Sequence, residues 1–255
     1  MTEKFKGIKR LTYSEFCLSC RDAEKRVALC DAIISGHVYI IKSVISREAA
    51  KNLLHNIVNS EIPQATLIKI IEGVDNFFYT SNFKKTEIGQ YTAIDRSWYF
   101  FPWNKDDYGV AELLQPVFNN IIILNNKDPN VVVKQTPKDE FIQRFHLINY
   151  PVLCGEISLH QDPVNIAHVS GGVYLTEFGV DYDKGGFYVM DLNDEKVMVD
   201  NEVETGDLVL FNQGMPHGVE SVESSKNDSE GRYFFSMSLV ESHEKPNRMT
   251  AVGLD

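Results

Sequence analysis

In the stretch Gly155–Pro163 (G-E-I-S-L-H-Q-D-P), His160 and Asp162 stand two residues apart at the end of a strand-like alternation. Side chains alternate across a strand, so Ile157 and Leu159 are expected on one face. Glu156, Ser158 and His160 are expected on the other, and Asp162 continues the His160 face. An imidazole and a carboxylate then point into one space, which is two-thirds of a 2-His-1-carboxylate iron site. His-x-Asp alone carries little weight in a chain with seven histidines. His217 raises it, because it lies 57 residues downstream, directly after a strand-like run and a Gly-Met-Pro turn, and can enter from a neighbouring strand. Two imidazole nitrogens and one carboxylate oxygen occupy one face of an octahedral ferrous ion and leave three positions open. Oxygen chemistry with a chelating co-substrate requires that arrangement.

Arg232 opens the last strand-like run, Arg232–Val240, 15 residues beyond His217. A guanidinium fork matches a carboxylate bidentately. One or two strands from the metal, it would anchor the far end of a dicarboxylate whose near end chelates iron. Arg232, Phe234, Ser236 and Ser238 share a face, so one serine can share that carboxylate. The plainer alternative for Arg232 is a strand-edge salt bridge to an acid of the chain.

The elements that must position these residues fall into two halves. A helix is expected over 12–35, with Thr12 and Glu15 as a capping box and Gly36 as a stop. Its apolar face would be Phe16, Cys20, Ala23, Val27, Cys30 and Ile34. His37–Lys42 reads as a strand, and Ser46 caps a second helix whose apolar face is Ala50, Leu53, Leu54, Ile57 and Val58. Residues 76–108 are dense in aromatic side chains without a clean period; they are either strands and loops over a core or a wall for an apolar or ring-bearing substrate. A third helix is expected over about 109–125, kinked near Pro116. From Val131 the pattern turns to strands: 145–150, 155–163, 168–178, the run after Gly185-Gly186, 196–201, the L-V-L-F-N run after Gly206-Asp207, Gly218–Val222 and 232–240. Helices followed by many short strands predict a mainly β protein with flanking helices (α+β), a sandwich or barrel. With no repeat and no linker, the expectation is one domain over 1–255, helical and aromatic-rich over 1–128 and metal-binding over 129–242.

Composition narrows the partners. A net charge of -11 with no Lys/Arg run beyond a pair argues against nucleic acid and against an anionic membrane surface. No apolar stretch approaches the ~18 residues of a membrane span, and no signal peptide opens the chain. Cys17 and Cys20 have zinc-like spacing but no second pair completes a site, so they read as free thiols of a helix. A cytoplasmic setting is expected, in which the sequon at Asn227 is only a polar loop. His146 and His168 both lie near the site, and a structural role is the favoured expectation for each. His55 reads as a surface or flank histidine of the second helix, and His37 and His243 carry no case.

Together, His160-Gln161-Asp162, His217 and Arg232, in that order on a strand-rich half, resemble the Fe(II)/2-oxoglutarate-dependent dioxygenase superfamily. The N-Y-P before the H-Q-D strand, the Gly185-Gly186 pair and the E-T-G-D-L-V-L-F-N run fit the same pattern, which covers about residues 130–240. The resemblance implies a double-stranded β-helix (jelly-roll) core, with iron held by His160, Asp162 and His217 and 2-oxoglutarate held by Arg232. It further implies that Asn149 and Tyr150 hydrogen-bond 2-oxoglutarate, as in the alkylation-repair branch. Many members have a serine two residues after the arginine, where this chain has Phe234; Ser236 is the nearest substitute. Asp162 argues against the halogenating members, where chloride takes the carboxylate's place. The implied reaction is hydroxylation of an unactivated C–H of a small molecule by O2, with 2-oxoglutarate decarboxylated to succinate. A peptide or protein hydroxylase, or a cupin-like metal protein or isomerase without 2-oxoglutarate, are the alternatives.

Overall fold

Thr12 starts the first helix as its capping box dictates. Its hydroxyl accepts from the Glu15 N–H at 3.2 Å, and the Glu15 carboxylate accepts from the Thr12 N–H at 2.8 Å. In this computed structural model, which describes residues 3–66, 75–83, 91–227, 229–242 and 249–254, the single helix expected over 12–35 is two. Helix α1 (Tyr13–Arg21) ends and α2 (Ala23–Ile34) begins at Asp22, whose backbone is extended (φ -83°, ψ 123°). The Asp22 carboxylate accepts the Lys25 N–H at 3.0 Å, so a side chain able to cap a new helix interrupts the old one. The break turns the apolar face: Leu29 and Ile33 are buried, whereas Val27 is exposed. Gly36 stops α2 with φ +110°, and a Cβ there would lie 2.0 Å from the Lys4 carbonyl oxygen.

Helix α3 (Arg47–Val58) is capped by Ser46, which accepts from Ala49 N at 3.1 Å. Helix α4 (Val110–Leu124) carries Pro116 inside it, and the short α5 (Pro129–Val132) delays the strand region expected from Val131 until Phe141. The strands are β1 (Gly7–Thr12), β2 (His37–Lys42), β3 (Phe77–Phe83), β4 (Ala93–Phe100), β5 (Phe141–Tyr150), β6 (Glu156–Gln161), β7 (Val169–Tyr174), β8 (Lys184–Met190), β9 (Lys196–Met198), β10 (Leu208–Asn212), β11 (His217–Glu223), β12 (Arg232–Glu241) and β13 (Val252–Gly253). They pair in the order β1-β2-β10-β7-β12-β5-β4-β6-β11-β8-β9, with β3 on β4 and β13 on β6. All pairs except β1–β2 are antiparallel. The chain is thus mainly β with flanking helices, a jelly-roll sandwich.

Strand β4 joins the two layers. Its second half pairs with β5 and its first two residues pair with β6. One apolar cluster fills the space between the layers, including Tyr174, Phe187, Val209, Phe211 and Val219. A larger one lies between the outer face of the β2–β10–β7–β12–β5 sheet and the helices, including Phe16, Ile33, Leu114, Phe118, Phe145 and Phe235. The core reading of the aromatic stretch is met by Trp98 and Phe100, which belong to the helix-side core, whereas Ala93, Asp95, Ser97 and Tyr99 face a cavity between the layers. Removing the first cap by Thr12→Ala is expected to cost about 1 kcal/mol, read as a lower urea midpoint at unchanged m-value.

Candidate active site

A β-bulge makes the metal-ligand set. His217 pairs with His160, but Val219 pairs with Ile157, so three steps on β6 oppose two on β11. Strict alternation would set Ile157 and His160 on opposite faces. The extra residue breaks it, and both line the cavity. His160, Asp162 and His217 converge, each offering a ligand atom within 4.8 Å of the others. The Nε2 atoms of His160 and His217 lie 3.9 and 3.7 Å from the Asp162 carboxylate oxygens. Each Nδ1 lies against a carbonyl two residues earlier, His160 on Ser158 O at 2.9 Å and His217 on Met215 O at 2.8 Å. A carbonyl only accepts, so each Nδ1 carries the proton and each Nε2 lone pair faces its neighbours. Burial, then His160 beside it, lowers the His217 pKa to about 4, which keeps the imidazole neutral and ready to ligate at pH 7. The histidines are buried, at 5% and 7% side-chain exposure, but Asp162 is 39% exposed, so this end of the cavity opens to solvent. The donor set fits ferrous iron.

The closed end holds Arg232, which is 1% exposed. It is not at a strand-edge surface pair. Its Nε donates to Asp200 Oδ2 at 2.6 Å, and its Nη2 donates to Asp200 Oδ1 at 3.2 Å and to the Tyr174 hydroxyl at 2.8 Å. Tyr174 and Tyr182 in turn donate to Asp200 at 2.5 and 2.6 Å. Burial opposes the Arg232 charge, but Asp200, Tyr174 and Tyr182 outweigh it and hold the guanidinium pKa well above its usual value. Nη1 is left without a hydrogen bond among the described residues, and so is the hydroxyl of Tyr150, the cross-strand partner of Arg232. Burial pushes the Tyr150 phenol upward, so it stays protonated and able to donate. Gly186 packs on Asp200 with φ +106°; a Cβ there would lie 2.2 Å from Oδ2. Gly186 pairs with Glu220, three residues along β11 from His217, which sets the Arg232 end about 10 Å from the triad.

The remaining sequence-derived candidates separate. Ser236 and Ser238 line the cavity with Arg232 and Phe234. Asn149 does not: it occupies the opposite face of β5 from Tyr150, and its amide donates to Glu230 O at 3.0 Å and Arg232 O at 3.5 Å. His168 is exposed and outside the cavity. His146, for which a structural role is the favoured expectation, instead lines the cavity, because β5 extends back to Phe141 and its alternation places Tyr150, Ile148, His146 and Arg144 inward. Its ring stacks on Tyr99 at 4.2 Å, and its Nε2 meets Ser97 Oγ at 2.8 Å. Ser97 donates to Asp95 at 2.5 Å. Burial, then the positive Arg144, pushes His146 well below the usual imidazole value, and burial also lowers Arg144. Cys17 and Cys20 are free thiols, and His243 lies outside the described residues. No helix among the described residues is long and apolar enough to cross a membrane.

The sequence matches no protein-family model and no curated protein. The fold does have counterparts among solved structures. A Pseudomonas putida prolyl-4-hydroxylase is 14% identical at a TM-score of 0.53, covering 83% of this chain and 97% of that one. A prolyl hydroxylase from Trichoplax adhaerens, in complex with a hypoxia inducible factor oxygen degradation domain peptide fragment, is 14% identical at 0.51, covering 87% and 92%. A C-terminal truncated Neurospora crassa protein in apo form is 13% identical at 0.50, covering 90% and 93%. The chain shares the fold of these structures, and the His160–Asp162–His217 triad stands within it. The resemblance drawn from residues 130–240 holds at the level of the fold.

Asp95 gives the cavity a measurable titration. Burial raises its pKa from 3.8 to about 6, against the opposing hydrogen bonds from Ser97 and Ser81. The folded state holds the Asp95 proton more tightly than the unfolded chain, so stability falls as pH rises from about 4 to about 6. The loss is on the order of 3 kcal/mol. Asp95→Asn is expected to flatten that stretch of the stability–pH curve and to raise stability at pH 7, measured by denaturant unfolding across pH 3.5–7.5.

Proposed function

We propose that the protein is an Fe(II)/2-oxoglutarate-dependent oxygenase that hydroxylates an unactivated C–H of a small molecule. One observation carries this reading. A cavity of about 410 Å³ has two convergent Nε2 lone pairs and a carboxylate at its open end, and free Arg232 Nη1 and Tyr150 hydroxyl donors at its closed end. Those two donors suit a carboxylate that the protein itself does not supply. The volume lies within the range of small-molecule pockets.

His160, Asp162 and His217 would hold Fe(II). Bound together, Fe(II) and 2-oxoglutarate supply O2 activation, with decarboxylation of the keto acid to succinate and CO2. The protein's own residues prepare that chemistry. Ser158 O and Met215 O fix the tautomer and direction of the two imidazoles. Asp200 holds the Arg232 fork by Nε and Nη2, so Nη1 and the Tyr150 hydroxyl are the donors that would hold the distal carboxylate of 2-oxoglutarate. Phe187, Phe211, Val219 and Phe234 line the space between and exclude water from it. Asn149 is turned to the other face of β5, away from the cavity, so it is not among the residues that would hold 2-oxoglutarate.

A cupin-like metal protein would need the triad but no buried carboxylate anchor, and Arg232 speaks for the oxygenase. A peptide substrate is the second reading; the Trichoplax prolyl hydroxylase fold holds one. The cavity volume of about 410 Å³ favours the small molecule. Anaerobic addition of Fe(II) and 2-oxoglutarate is expected to give a visible metal-to-ligand charge-transfer band. Arg232→Ala should abolish the band at 2-oxoglutarate concentrations that saturate wild type while retaining iron, and His160→Ala should lose the iron. No band with wild type would refute the co-substrate assignment.

A further inference from the structure

The cavity contains a second arginine, and its circumstances are the reverse of those of Arg232. Arg144 lines the cavity from β5, two residues before His146. No carboxylate lies within ion-pairing distance of it among the described residues. Its Nη2 makes one long hydrogen bond, to Ser238 Oγ at 3.4 Å, and its Nε is buried with no partner. The guanidinium carbon sits 5.5 Å from the centre of the Tyr99 ring, which holds the fork's plane from one side. A half-buried guanidinium left with one long hydrogen bond and a buried, unpartnered Nε is under-satisfied, and a bound acceptor would complete it.

We propose that Arg144 anchors the carboxylate of the primary substrate, which makes that substrate a small monocarboxylic acid. This rests on the oxygenase reading above. The co-substrate does not serve as the partner, because Arg144 stands six residues along β5 from Tyr150, roughly 20 Å of strand, at the other end of the inward row. It is cross-strand from Ser238, whereas Arg232 is cross-strand from Tyr150. A carboxylate suits the site better than a phosphate. A phosphate brings up to two negative charges, and Arg144 would face them as the one cation lining this end among the described residues, with Asp162 and Asp95 in the same lining. Ser236, Ser238 and His146 line the same cavity, and the Ser238 hydroxyl already accepts from the fork. A carboxylate held there lies in the half of the cavity that opens beside Asp162.

The test titrates a panel of linear, cyclic and aromatic monocarboxylic acids, each with its primary amide, into wild type, Arg144→Gln and Arg144→Lys. With Fe(II) and 2-oxoglutarate bound anaerobically, at least one acid is expected to shift the charge-transfer band, and its amide is not. Arg144→Gln should keep the band itself but weaken the acid at least tenfold, and Arg144→Lys should recover part of the loss, which separates lost recognition from misfolding. The same acid should raise the melting temperature of the metal-free wild type and not of Arg144→Gln. No acid effect, an equal effect of the amide, or loss of the 2-oxoglutarate band itself in a folded Arg144→Gln would each overturn the proposal. Absence of the band in wild type, with the acid-dependent melting shift intact, would instead overturn the oxygenase reading alone.

Discussion

A fully buried ion pair ties the two layers of this sandwich together. Arg232 opens β12, Asp200 stands in the turn after β9, and Tyr174 and Tyr182 flank them from the end of β7 and the loop before β8. Asp200 accepts from all three partners, so its charge is met fully. Such a pair gains little over an apolar replacement, yet breaking one half of it costs several kcal/mol because a bare charge remains. Its value here is positional: it fixes the roll of the guanidinium and decides which nitrogen is left over. Gly186 is the cost in sequence, since nothing larger fits against the Asp200 carboxylate.

The site was legible where one residue type at one spacing defines a chemistry. His160, Asp162 and His217 needed only order and strand spacing, and the cap residues Thr12 and Ser46 needed only their own side chains. Three things were hidden. The bulge between Ile157 and His160 leaves no mark in an alternation pattern, because Ile157 reads as lying on the face opposite His160 until its partner on β11 is known. Arg144 fell outside the strand read at 145–150, and only the backward extension of β5 gives it an inward face. Asp200 sits in a turn 32 residues before Arg232, and many acids of the chain were equal candidates for that pair. Long-range partner choice is set by topology, which local pattern does not contain.

The break at Asp22 shows the opposite case, where a local signal outweighs a periodic one. The apolar period runs through 12–35 as if one helix spanned it, but a carboxylate able to take a free N–H ends one helix and starts the next. The buried face shifts from Val27 to Leu29 and Ile33 as a result.

Strand β4 puts two duties on alternate residues. Trp98 and Phe100 are core, whereas Asp95, Ser97 and Tyr99 are cavity wall. The period of two separates them cleanly. A substitution at Asp95, Ser97 or Tyr99 therefore alters the cavity wall without touching the core that Trp98 and Phe100 fill. A chain only 13–14% identical to its structural counterparts can keep their architecture on those terms and still present a cavity wall of its own.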